Sequence, residues 1–373
     1  MDDCDARGRL DSLDILKGTI ITAIVFVHII MTRGGESTEE PSILMQYLYM
    51  GLMFFFVCSG YFYRPERGFT RNMKYRLAQL LLSLVICGAV LSLVLFIEIS
   101  ILWGMPDWMD LVDAFARSLY LFAIGMPMDD TFVYQLSGAS MGYYYIWTML
   151  WSFLIFYSTA RFLDDDNRKI IAAIAVLLAI QCLIVEFLAI QVPFFFNLAP
   201  FGAALMFAGR LMAKYSVFHR IESCPRKKPI FWIVLVACAV AALILVIIFE
   251  PGLSWDQMHY GDYGWASVIP FFFEALPVIV VLVYAAMLLG KIPVLSGILM
   301  IAGKHSLGVL LLHSFVAKFI FLLFYEPVTD DWFPHADSME RLFVALAMYA
   351  IVLASCELYS RFMEKRCSQN PDS

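Results

Sequence analysis

Apolar residues run through this chain in blocks of about twenty, separated by short polar stretches. At 1.5 Å per helical residue, a block of that length matches the ~30 Å hydrocarbon core of a bilayer. The pattern predicts an all-α, polytopic integral membrane protein with about ten transmembrane helices. They fall at roughly 13–32, 43–63, 77–102, 143–162, 169–188, 193–213, 230–250, 265–289, 306–325 and 341–363. A transmembrane β-barrel would show segments of ~10 residues with alternating polarity, and this sequence does not.

Composition agrees. The chain is 61% hydrophobic and 16% charged, with a mean hydropathy of +0.77. Soluble domains carry about a quarter charged residues. The net charge of -6 gives no reason to expect a nucleic-acid partner, because the charges occupy loops on opposite sides of a membrane. Lysine and arginine set the orientation. One side receives the N-terminus with Lys17 at its boundary, the 64–76, 161–169, 210–228 and 291–304 loops, and the C-terminal tail with Arg361 at its boundary. That assignment accounts for all 26 Lys and Arg except Arg33, Arg117, Lys318 and Arg341. The positive-inside rule then makes both termini cytoplasmic in a multi-pass protein of the cell membrane. The expected organisation is a cytoplasmic segment at 1–12, a membrane domain at 13–363 and a cytoplasmic tail at 364–373. The first helix is expected to act as an uncleaved signal-anchor, with no fused extracytoplasmic domain. Of the 8 cysteines, Cys58, Cys87, Cys182, Cys238 and Cys356 lie in apolar runs without CxxC spacing. They read as buried free thiols, and no metal site is expected.

The first span carries unusual chemistry. His28 lies deep in its apolar run, and an ionisable group at such depth is a functional candidate by default. Lys17 precedes it by eleven residues, a separation that returns an ideal helix to within roughly 20° of the same face with an axial offset of ~16 Å. With Asp14, one face would hold an acid, a base and an imidazole. The plainer alternative has Asp14 and Lys17 anchoring a helix end and His28 capping a loop. The 103–142, 251–264 and 326–340 segments, on the side opposite the basic loops, are acidic and aromatic. Such surfaces suit sugars, although an interfacial aromatic belt gives the same pattern.

These landmarks form a series. Leu13-Asp14-Ile15-Leu16-Lys17-Gly18 followed by Val27-His28 opens it. Phe54-Phe55-Phe56-Val57-Cys58-Ser59-Gly60-Tyr61 comes next, then the basic stretch Arg64, Arg67, Arg71, Lys74 and Arg76. Tyr145-Ile146-Trp147 with Leu150 and Trp151 follows, and Ile301-Ala302-Gly303-Lys304-His305-Ser306-Leu307-Gly308 with Leu311-Leu312-His313 closes it. In this order the chain resembles the integral-membrane acyltransferase 3 family. Two departures stand out. Lys17 replaces the family's arginine, which keeps the charge but loses the planar bidentate fork. The family's Arg-x-x-Arg element has two candidates: Arg64 and Arg67 keep the spacing but come early, and Arg71 with Lys74 is better placed but imperfect.

The resemblance implies a membrane O-acyltransferase, of O-acetyl type. It would use acyl-CoA (acetyl-CoA) as co-substrate, with no permanently bound cofactor and no metal. Its acceptor would be a hydroxyl of a sugar, polysaccharide or lipid-linked envelope glycan. Membrane lipids surround it, and other envelope-biosynthesis proteins are candidate partners. His28 becomes the catalytic residue, either as general base toward the acceptor hydroxyl or as an acyl carrier. Asp14, Lys17, Arg71, Lys74 and Arg76 become donor-binding or site-orienting groups. Ser59, Trp147, His313 and Lys318 are candidate site-lining residues. Ser59-Gly60 also suits close helix packing, and Gly303 reads as a break before a helix starting near Lys304 and Ser306. The competing readings are a glycan or lipid transporter or flippase, and a non-catalytic membrane scaffold.

The topology is testable. A membrane-impermeant thiol reagent applied to intact cells should label Trp255→Cys and spare Arg226→Cys; the reverse pattern would overturn the orientation.

Overall fold

The computed structural model describes residues 10–31, 43–81, 112, 143–163, 166–187, 193–223, 228–249, 268–312 and 338–369. It is 92% helix, with no strand among the described residues, so the all-α class holds. The helices are α1 (Asp11–Met31), α2 (Ile43–Tyr61), α3 (68–81), α4 (Tyr143–Ala160), α5 (Asn167–Phe187), α6 (Ala199–Lys214), α7 (Val217–Ser223), α8 (Pro229–Phe249), α9 (Val268–Leu289), α10 (Pro293–Lys304), α11 (Ser306–Leu312) and α12 (Ser338–Gln369). Among the described residues, the stretches Asn167–Phe187, Phe196–Lys214 and Val268–Leu289 are long and apolar enough to cross a membrane. The outer segments 113–142, 251–264 and 326–337 and the later part of the span at 77–102 lie outside the described residues.

The chain divides into two compact units, one of Met1–Glu40 with Ala286–Ser373 and the other of Pro41–Ala285. In the first, α1 packs on α10 through glycines. A Cβ on Gly18 would overlap the Leu299 carbonyl, and a Cβ on Gly303 would overlap the Asp14 carbonyl. The two backbones are in contact, a mode of helix association that lipid favours because it offers no hydrophobic drive between helices. Leu13, Leu16, Ile20, Ile21 and Val25 of α1 are almost fully buried. Against α12, the Thr22 hydroxyl hydrogen-bonds the Tyr349 hydroxyl, and the Phe26 ring lies 5.7 Å from that of Tyr349.

The second unit repeats the device. A Cβ on Gly60 of α2 would overlap the Met206 carbonyl of α6, and a Cβ on Gly209 would overlap the Val57 carbonyl. Every residue of α6 from Ala199 through Arg210 is buried, as expected of a helix apolar on all sides. Helices α4 and α5 pack around it. The outer faces stay apolar. Ile171, Val176, Ile180 and Leu183 of α5 and Ile233, Val236, Val240 and Leu243 of α8 are exposed. Stripes of that length on a monomer mark a non-aqueous neighbour, here the membrane.

Several boundaries differ from the sequence reading. The stretch 291–304, read as a loop, contains α10, whose Pro293 occupies the first helical turn where its missing N–H costs nothing. Gly303 is not the break; it sits inside α10 for close approach to α1. The break is at His305, where α10 and α11 meet at 78°. The basic stretch at 64–76 is already helical from residue 68, after Gly68 turns the chain at φ +68°. The tail read as starting at 364 continues α12 through Gln369.

Gly303→Ala and Gly60→Ala should each destabilise the protein by about 1–3 kcal/mol, the usual cost of overpacking. Thermal unfolding in detergent reads this, and unchanged melting in either variant would contradict the backbone contact at that glycine.

Candidate functional site

Helix α1 carries the charged pair that its sequence suggested. Lys17 Nζ lies 3.1 Å from Asp14 Oδ1, with the side chains 24% and 16% exposed. A partly exposed pair of this kind contributes at most ~1 kcal/mol, so its value lies in orientation. The backbone beneath it is held firmly, because the Asp14 carbonyl faces Gly303 and Gly18 faces Leu299. Thr19 and Thr22 donate their hydroxyls back to the Ile15 and Gly18 carbonyls, at 2.9 and 2.6 Å. His28 falls in the last full turn of the same helix, eleven residues after Lys17.

A second ionic group in this unit was not anticipated. His305 Nε2 lies 2.9 Å from Glu357 Oε2, and Arg361 Nε donates to Glu357 Oε1 at 2.9 Å. Glu357 and Arg361 have the i,i+4 spacing of a helical pair, which is readable in sequence. Their link to His305, 52 positions away, is not. The link ties the α10–α11 bend to α12. Since α10 also clamps α1, His305 positions the helix that carries Lys17.

In the other unit, Arg71, Lys74 and Arg76 lie along α3. Arg71 and Lys74 are exposed. Arg76 is half-buried, with its guanidinium 4.9 Å from the Phe153 ring centroid and Nη1 donating to Gln79 Oε1 at 3.1 Å. Lys74 lies on a mostly apolar face of α3 with Phe69, Thr70, Met73, Leu77, Ala78 and Leu81. The three cations therefore divide, two presented at the surface and one bound into the protein.

Ser59 donates to the Phe55 carbonyl at 2.7 Å, one turn back on α2, beside the Gly60 contact. Trp147 is half-buried on α4. His313 and Lys318 lie outside the described residues. Among the described residues, no group of three His, Cys, Asp or Glu side chains is placed to hold a metal ion.

The sequence reading missed a set of buried polar side chains in the second unit. Gln181 of α5 is 0% exposed, Asn197 before α6 is 6% and Glu274 of α9 is 2%. Gln181 Nε2, Asn197 Oδ1, Glu274 Oε1 and Trp151 Nε1 of α4 are buried without a hydrogen-bond partner. Each such atom costs about 1–3 kcal/mol. The signal was present for Glu274, the lone charge in the 265–289 run. The argument that singled out His28 applies to it equally.

A family model described as an acyltransferase domain, that of acyltransferase 3, matches residues 10–360. No curated protein matches the chain, and no solved structure does.

Lys17 tests the charged pair. Lys17→Arg should preserve or raise activity in cells, while Lys17→Ala should lower it. Full activity of the alanine variant would make Lys17 a plain interfacial anchor.

Proposed function

The chain belongs to the acyltransferase 3 family, and we propose that it is a membrane O-acetyltransferase. It moves an acetyl group from cytoplasmic acetyl-CoA to a hydroxyl of a sugar, polysaccharide or lipid-linked envelope glycan, as a multi-pass protein of the cell membrane. The observation that carries this reading is α1 itself. A helix bearing Asp14, Lys17 and His28 is pinned through its backbone at Gly18 and at the Asp14 carbonyl. Acyl transfer requires a base held at fixed geometry, and a helix fixed near its start supports that reading.

In the reaction, the imidazole of His28 takes the proton from the acceptor hydroxyl as its oxygen attacks the thioester carbonyl. The C–S bond then breaks, and the proton passes to the departing CoA thiolate. A route through an acyl-imidazole uses the same residue in two steps. On the donor side, the exposed Arg71 and Lys74 suit the phosphates of CoA. Arg76, engaged with Phe153 and Gln79, orients α3 more than it reaches for ligand.

The transporter reading gains one observation, the 78° bend between α10 and α11, since broken helices are common in transporters. Transporters of that kind repeat the break in matching positions of two halves. Among the described residues, the α10–α11 pair is the apolar helix pair bent in this way.

His28 decides between the readings. His28→Ala and His28→Gln should insert normally and bind acetyl-CoA, yet lose transfer by at least the ~10²-fold expected for removing a general base. Radiolabelled acetyl transfer in purified membranes measures this. Rates within a few-fold of wild type in either variant would remove His28 from the chemistry and return the transporter reading to first place.

A further inference from the structure

Four of the unpartnered buried polar atoms of the second unit gather at one place, while Asn167 Oδ1 lies apart at the start of α5. The Phe201 backbone N–H donates to Gln181 Oε1 at 3.3 Å. The Phe201 ring stacks on Phe271 with centroids 5.6 Å apart, and Glu274 follows Phe271 by one turn of α9. Trp151 sets its ring edge-on to Phe196, next to Asn197, with centroids 5.4 Å apart. The neighbouring Ser152 donates to the Ala199 carbonyl at 3.0 Å. All of these contacts centre on the first turn of α6 and the residues just before it. They leave four polar atoms without partners, Trp151 Nε1, Gln181 Nε2, Asn197 Oδ1 and Glu274 Oε1.

The depths agree as well. At 1.5 Å per residue, Gln181 lies about 9 Å from the end of α5 and Glu274 about 9 Å from the start of α9. Trp151 lies about 12 Å from the start of α4 by the same measure. These helix ends all point away from the basic loops, so the four groups occupy the half of the membrane domain opposite those loops.

Two of the atoms are donors and two are acceptors, and aromatic rings lie among them. A hydroxyl both donates and accepts, and a pyranose adds an apolar face that stacks on rings. We propose that Trp151, Gln181, Asn197 and Glu274 form the subsite that binds the acceptor sugar through its hydroxyls. Glu274 and Asn197 accept from ring hydroxyls, and Trp151 and Gln181 donate to hydroxyl oxygens. The identity of the ligand rests on the O-acetyltransferase reading. The place of the subsite rests on contacts within one unit.

The subsite makes a binding prediction that does not depend on turnover. Wild-type protein in lipid nanodiscs should transfer NMR saturation to the ring protons of at least one methyl pyranoside among glucoside, galactoside, mannoside and N-acetylglucosaminide. Glu274→Gln and Gln181→Leu keep side-chain volume, Trp151→Phe keeps an aromatic ring without the N–H, and each should weaken that signal at least tenfold. Glu274→Leu should abolish it while leaving the melting temperature no lower than wild type, because removing an unpartnered buried polar group relieves its cost. No saturation transfer to any of the four in wild type, or equal transfer in wild type and the conservative variants, would overturn the subsite. Acetyl-CoA hydrolysis by the wild-type protein is measured separately. Its absence would sink the acyl-transfer reading and leave the binding result standing.

Discussion

Backbone contact at paired glycines is the constraint on which the rest of this molecule depends. In each unit the contact is reciprocal. Gly18 meets Leu299 while Gly303, four residues further along α10, meets Asp14, four residues before Gly18. Gly60 meets Met206 while Gly209 meets Val57, with offsets of three residues on both sides. Lipid chains are as apolar as leucine, so burying apolar surface between membrane helices gains little over burying it in lipid. Close packing of backbones supplies the attraction instead, and a methyl group at any of these positions would abolish it. The side chains that carry chemistry are placed by these crossings: Asp14 and Lys17 sit at one, and Ser59 sits beside the other.

Sequence and structure agree where a physical signal is local. The helical class follows from the length of the apolar blocks, and the packing role of Gly60 follows from its small-residue neighbourhood. Asp14 and Lys17 pair because three residues bring them onto one helical face. The failures share a cause. Residues 291–304 read as a loop because Lys291, Pro293, Gly297 and Lys304 are all loop-compatible. Pro293 in fact starts a helix, and Gly303 within it meets α1, a contact that only the tertiary structure shows. The His305–Glu357 link joins residues far apart in sequence, and no periodicity announces it.

The chain treats its carboxylates in two different ways. Asp14 has Lys17, and Glu357 has both His305 and Arg361. Both carboxylates keep part of their side chain exposed, 16% for Asp14 and 24% for Glu357, and have cations within reach. Glu274 is 2% exposed on the buried face of α9, with Phe271, Ala275 and Val278 around it, and its Oε1 has no partner. An apolar residue of similar size there would remove that cost without disturbing a helix whose neighbours are already apolar. The same holds for Gln181, whose one partner, the Phe201 N–H, uses a single one of its polar atoms.

Stability alone therefore does not account for the polar groups around the start of α6. A fold that settles its helix crossings with glycines and its surface acids with neighbouring cations has ready means of avoiding buried unpartnered atoms, yet several of them converge where four helical elements meet. Function offers the missing term. A site that must hold a polyhydroxyl ligand within a membrane domain needs donors and acceptors kept free of one another, because side chains that satisfied each other would have to be pulled apart at each binding event. Preorganised polar atoms that the protein itself leaves unpaired bind such a ligand at lower cost than a network that must first be broken.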